Sequence, residues 1–256
     1  DGHLLRAQVF QNAVCNWRCW YCYVDFPLLS GNTAHSDMLS ADELLDLFLA
    51  VEDRPQVIDL SGGQPDLVPE WVAWMIDALK RRDLSDDVYL WSDDNLSNDY
   101  FWSCLGPGQR ALISDCRGYA KVCCFKGFDA PSFAFNTAAA PELFDRQFEL
   151  MGRLLRDSEI DLYGYATFTS PNGLAVPKAM RIFVDRLQEL DANLPLRLVP
   201  LRVGAFTPVQ SRGLTPDHER ALSIQDEAIA AWASELGARY GEDMRSRVIC
   251  DVPLRG

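Results

Sequence analysis

Two rhythms alternate along this chain: short, nearly continuous apolar runs, and longer stretches with apolar residues at helical spacing. Runs bounded by turn residues read as buried strands, and spacings of three and four read as helix faces. Leu4 to Val9 is the first run. Ser40-Ala41-Asp42-Glu43 forms a capping box before a face of Leu44, Leu45, Leu47, Phe48 and Val51. Val57 to Leu60 is a second strand, stopped by the turn-rich Ser61-Gly62-Gly63-Gln64-Pro65. Pro69 suits the first turn of a helix carrying Trp71, Val72, Met75, Ile76 and Leu79. Val88 to Trp91 is a third strand, with a short helix around Asn98 to Cys104 after it. Tyr119 to Phe125 is a fourth, apolar enough for burial on both faces. Pro141 opens a helix with Leu143, Phe144, Phe148, Met151 and Leu155 inward. Leu162 to Phe168 is a fifth strand, and the helix after Pro177 carries Ile182, Phe183, Leu187 and Leu190. Leu196 to Leu201 is the sixth strand, and Thr215-Pro216 caps a last helix through about Tyr240.

Strands alternating with helices predict an α/β fold with a parallel sheet and helices outside. Six units, not eight, predict a partial (β/α)6 barrel of the TIM type. Residues 1–256 read as one domain, with the last helix, about 216–240, closing the barrel. Functional groups are then expected at the carboxyl ends of the strands.

Composition narrows the function. A chain of 256 residues, 48% hydrophobic and 24% charged, can bury a full core and is not a disordered type. With 24 Lys+Arg against 37 Asp+Glu the net charge is −13, a field that repels nucleic acid and anionic membranes. No apolar run approaches the roughly 20 residues that span a bilayer. The chain starts at Asp1 without a signal-peptide pattern, so a cytoplasmic location is expected, with residues upstream removed or left out.

The chemistry sits in the cysteines. Cys15, Cys19 and Cys22 lie in a Cys-x3-Cys-x2-Cys loop just after the first strand. Soft thiolates favour iron–sulfur clusters or zinc. A structural zinc closes with four ligands, and the nearest histidine, His35, is thirteen residues past Cys22. Three ligands on a four-iron cluster would leave one iron open. The other five, Cys104, Cys116, Cys123, Cys124 and Cys250, lack ligand spacing and read as small buried hydrophobes. Cys116, Cys123 and Cys124 are candidates for a thiol that donates or takes a hydrogen atom. Strand alternation sets Cys123 and Cys124 on opposite faces.

With an aromatic residue, Tyr21, before the third cysteine, and Ser61-Gly62-Gly63-Gln64-Pro65 ending the second strand, the sequence resembles the radical S-adenosylmethionine (radical SAM) superfamily. The second segment is similar to that family's Gly-Gly-Glu-Pro element, with Gln64 in place of the glutamate. The resemblance implies a [4Fe–4S] cluster on Cys15, Cys19 and Cys22 whose unique iron chelates SAM. It implies reductive cleavage of SAM to a 5′-deoxyadenosyl radical, which takes hydrogen from a small molecule or peptide. It also implies that Gly62, Gly63 and Gln64 meet the SAM amino group through backbone, and that Tyr21 lies near the adenine. Ser92 and Asp94 after the third strand, Lys126 after the fourth and Val199 in the sixth are further candidates for contact. A flavodoxin- or ferredoxin-type electron donor is expected, with Arg18 the one basic residue in the loop.

The compact length resembles the glycyl-radical-enzyme activases. Their Asp-x-Lys element reads Cys124-Phe125-Lys126 here, so the aspartate is missing. An activase that installs a glycyl radical on a partner enzyme is therefore the alternative function, and a non-enzymatic zinc or redox module the third. Trp17 and Trp20 are expected to shield the cluster. Trp71, Trp74, Tyr163 and Tyr165 are expected to pack against core and helices, and His3 and His218 to lie on the surface.

Overall fold

The computed structural model describes residues 6–173 and 175–255. Leu4, Leu5 and His3 lie outside them. Six strands form one sheet in sequence order: β1 Ala7–Gln11, β2 Val57–Ser61, β3 Tyr89–Asp94, β4 Tyr119–Phe125, β5 Asp161–Thr167 and β6 Leu198–Leu201. Every neighbouring pair is parallel. The main helices are α1 Ala41–Leu49, α2 Glu70–Arg81, α3 Tyr100–Ser103, α4 Pro107–Ser114, α5 Ala130–Thr137, α6 Leu143–Asp157, α7 Val176–Leu190, α8 Thr207–Arg212 and α9 Pro216–Arg239. No helix among the described residues is long and apolar enough to cross a membrane.

Capping chemistry sets the helix starts. Ser40 Oγ accepts from Glu43 N at 3.2 Å, and Glu43 Oε2 accepts from Ser40 N at 2.7 Å. Thr215 and His218 reciprocate at the head of α9, each bond 3.2 Å. His218 is therefore more than a surface residue, and its ring also stacks on Trp20 at 4.6 Å. β4 matches its expected bounds. β3 runs three residues past Trp91, because Ser92, Asp93 and Asp94 continue the pairing with β4. Residues Leu194–Arg197 form a 3-10 turn, which shortens β6 at its start. The short helices α4, α5 and α8 escape the periodicity reading, since six to eight residues give too few repeats.

The two faces of the sheet differ. Phe125 packs on Phe148 of α6 at 5.1 Å and Phe183 of α7 at 5.7 Å. By alternation Tyr119, Lys121 and Cys123 share that convex, helix-covered face, with Leu90, Ser92 and Asp94 of β3 and Leu162 and Ala166 of β5, all buried. The opposite, concave face carries Asp59, Tyr89, Trp91, Asp93, Tyr163 and Tyr165, each only partly buried. The expectation that Tyr163 and Tyr165 pack against helices is thus corrected. Helices cover one face of this sheet, and these tyrosines line the other.

Candidate functional site

The cysteine loop leaves β1 and is stitched to the double-glycine turn that ends β2. Asn12 N donates to Ser61 O at 2.8 Å, Gln64 N to Val14 O at 2.8 Å, and Asn12 Nδ2 to Gln64 O at 2.8 Å. Backbone meets backbone so closely that a Cβ on Gly63 would lie 2.3 Å from Val14 O and 2.5 Å from Asn12 O. Gly62 adopts φ +81°, open to glycine at no steric cost. The two glycines therefore dock the turn on the loop, a role the sequence alone does not separate from ligand approach.

The far side of the loop is held as firmly. Arg18 N donates to Thr137 O and Trp20 N to Asn136 O, both at 3.2 Å. Trp20 Nε1 donates to Asn136 Oδ1 at 3.0 Å, and Trp17 packs edge-on to Phe133 at 5.2 Å. Arg212 of α8 reaches back to the carbonyls of Trp20, Cys22 and Val24. Both tryptophans are buried beneath the loop.

Cys15, Cys19 and Cys22 are free thiols, each partly exposed. Burial pushes Cys19 up to about 11, against the nearby Lys126 ammonium. Burial also raises Cys22. The charges of Cys22 and Cys15 add to the rise at Cys19, so the loop brings the thiols within electrostatic range. Among the described residues, no three His, Cys, Asp or Glu side chains gather around a single-ion position. Thiolates on separate irons of a cluster need no such convergence.

Lys126 projects from the end of β4 beside Cys19, Tyr21, Cys124 and Asp93, which hold its ammonium well above its ordinary value against the opposing effect of burial. It is not a surface lysine. Tyr21 is buried, with its hydroxyl 2.9 Å from Thr167 Oγ1. Cys124 faces this group from the concave side, and burial pushes its thiol up to about 12. Cys123 points to the helix side and joins the core, so the alternation argument separates the pair as expected. Cys116 packs into the core before the first residue of β4, at the other end of the strand from the cysteine loop.

Ser92 and Asp94 are placed differently from expectation. Both face the convex side, buried, because the strand continues through them. Ser92 Oγ pairs with the Tyr119 hydroxyl at 2.7 Å. The concave member of the trio is Asp93, which accepts from Ser61 Oγ at 2.5 Å. Val199 is on the concave side and 42% exposed.

Asp94 instead anchors a buried network that sequence reasoning missed. Gln64 Nε2 donates to Asp94 Oδ1 at 2.9 Å, and Gln64 Oε1 accepts from Asn95 N at 2.8 Å. Lys121 Nζ donates to both Asp66 oxygens at 2.7 Å and lies 3.4 Å from Asp94 Oδ2. Burial opposes ionisation of Asp94, and the Lys121 ammonium with hydrogen bonds from Gln64 and Leu96 outweighs it, holding the carboxyl low. Burial and the Asp94 charge push Asp66 up to about 7. The amide at position 64 has a physical reason here: a carboxylate there would face the ionised Asp94. Gln64→Glu is expected to lower stability by roughly 1–3 kcal/mol, read from the midpoint of urea unfolding.

The fold so built is the partial barrel of radical SAM enzymes. In particular, the chain is similar to Streptococcus suis SuiB bound to precursor peptide SuiA, with TM-score 0.58 and 14% identity, over 90% of this chain and 46% of that one. It is similar to SuiB bound to S-adenosylmethionine, with TM-score 0.58 and 12% identity over 91% and 48%. It is similar to native anSMEcpe with bound AdoMet, with TM-score 0.53 and 11% identity over 90% and 62%. The chain thus spans about half the length of SuiB. No protein-family model and no curated protein matches it.

Proposed function

We propose that this chain is a radical SAM enzyme that acts on a small molecule or peptide, with residues 1–256 as one catalytic domain. The observation that carries the reading is the joint between motifs. Three free thiols stand on a loop docked through Gly62 and Gly63 to the carboxyl edge of a parallel partial barrel. The donor set fits a [4Fe–4S] cluster on Cys15, Cys19 and Cys22. Bound and reduced, the cluster would deliver the electron that splits the SAM sulfonium bond into methionine and a 5′-deoxyadenosyl radical.

The chain's own residues bind and orient. Lys126 offers the cation for the SAM carboxylate. Ser61 and Asp93 stand at the strand ends where ribose hydroxyls would reach. Gly62, Gly63 and Gln64 present backbone beside the cysteine loop. Tyr21 and Val199 supply apolar surface for the adenine, and Trp17 and Trp20 keep water from below the loop. Cys124 is the concave-face thiol placed to pass a hydrogen atom. Arg18 is exposed beside the loop, where an acidic flavodoxin- or ferredoxin-type donor would approach. The peptide-bound neighbour favours a peptide or small-molecule substrate over the activase reading, as does the cysteine at position 124.

Metal analysis and electron paramagnetic resonance test the reading together. After anaerobic reconstitution, about four irons per chain are expected, with a reduced-cluster signal that shifts when SAM is added. Stoichiometric zinc, with no SAM-dependent signal, contradicts it and supports the metal-module alternative.

A further inference from the structure

The middle of the concave face carries polar groups that neither the cluster nor SAM accounts for. Asp59 of β2 and Trp91 of β3 are register partners and point to the same side. Asp59 Oδ1 and Trp91 Nε1 are both shut off from solvent, and neither has a hydrogen-bond partner. One is an acceptor and the other a donor, so they stand ready for a ligand with complementary groups. Buried polar groups are normally matched, and an orphaned donor and acceptor side by side on the face that helices leave uncovered point to what binds there.

The charges on this face assign the sign of that ligand. Asp161 opens β5 and is satisfied by Arg197 Nη1 at 2.7 Å, with the Tyr163 hydroxyl at 2.7 Å. The Arg197 guanidinium also sits 4.8 Å over the Tyr163 ring. By register that group stands level with Asp59 and Trp91, on β5. Further along β3 Asp93 has Ser61 and the Lys126 charge. Asp59 has no ion pair among the described residues, and no cation acts on it. Burial, then the Asp93 charge, pushes its carboxyl up to about 7, the mark of a carboxylate lacking a cation. Tyr165 stands within reach of the Asp59 and Asp93 charges across the face. Val9, the register partner of Asp59 on the edge strand, is 46% exposed, so the face opens to solvent beside it.

We propose that this face recognises its substrate through an organic cation, an ammonium or guanidinium group seated on Asp59 beside the ring of Trp91. Aromatic faces stabilise such cations once they leave water. The Trp91 N–H is then free to hold an acceptor on the same substrate. The inference names the substrate class for the proposed radical SAM reading and rests on it for catalysis, while binding itself needs no SAM cleavage.

Saturation-transfer NMR on the full chain tests it with matched probes. Nα-acetyl-L-lysine N-methylamide is compared with its neutral norleucine counterpart, and butylammonium with 1-butanol. The charged member of each pair is expected to bind at least about tenfold tighter, a preference worth one decade in Kd. Asp59→Asn is expected to erase the preference and Asp59→Glu to retain it, with folding checked by circular dichroism. Equal binding of charged and neutral probes to the unaltered chain overturns the inference, as does a preference that survives in folded Asp59→Asn. A chain that cleaves SAM yet ignores probe charge overturns this inference alone. A chain that prefers the cation and never cleaves SAM overturns the proposed function alone.

Discussion

Cys19→Ala is expected to remove both the iron and the SAM cleavage from this chain. Cys19 is the middle thiol of the loop, and burial raises it. Its neighbours cannot replace it, because the backbone on either side is fixed by bonds to Ser61, Thr137 and Asn136. The expected loss of 5′-deoxyadenosine formation exceeds roughly hundredfold, since losing even a hydrogen bond to a metal ligand costs about 10–100-fold. Iron per chain should fall with it, measured on the same reconstituted sample. Cys250→Ala is the matched control. That thiol is exposed in a turn near the C-terminus and is expected to leave the iron count unchanged.

Lys121→Met is expected to produce the largest loss of stability. Lys121 is fully buried, and its ammonium is the cation shared by Asp66 and Asp94. Removing one partner of a buried pair costs about 3–5 kcal/mol, because the remaining charge stays in the interior unmatched. For a chain of this length each kcal/mol moves the melting temperature by about 2–4 °C, so a drop on the order of 10 °C is expected. Differential scanning calorimetry of the two proteins reads it directly. The damage should also reach the cysteine loop. Asp94 holds the Gln64 side chain, and Gln64 ends the glycine turn that docks the cysteine loop. A methionine that left melting unchanged would mean the network contributes nothing net.

The sequence made the parallel strands and the cysteine loop legible for a shared reason: both are local. Near-continuous apolar runs such as Tyr119 to Phe125 state burial on both faces, and three cysteines within eight residues state a shared ligand site. Which face a strand residue takes is less local. Ser92, Asp93 and Asp94 look like a turn until the pairing of β3 with β4 is known, and that pairing puts Asp93, not its neighbours, at the site. Tyr163 and Tyr165 were equally ambiguous, because alternation gives two faces without saying which one helices cover. The Gln64–Asp94–Lys121–Asp66 network spans 58 residues of chain and has no spacing to find. One signal was present. A lysine inside the otherwise apolar Tyr119–Phe125 run has to find a buried partner, and acids near the strand ends were the candidates.

The central claim is that these three thiols and the docked glycine turn make a SAM-cleaving centre. Quantifying 5′-deoxyadenosine by mass spectrometry, after anaerobic reconstitution and reduction with dithionite in the presence of SAM, tests it most directly. The account predicts 5′-deoxyadenosine and methionine in equal amounts, dependent on both reductant and iron. An iron-loaded, reduced protein that forms no 5′-deoxyadenosine would contradict it.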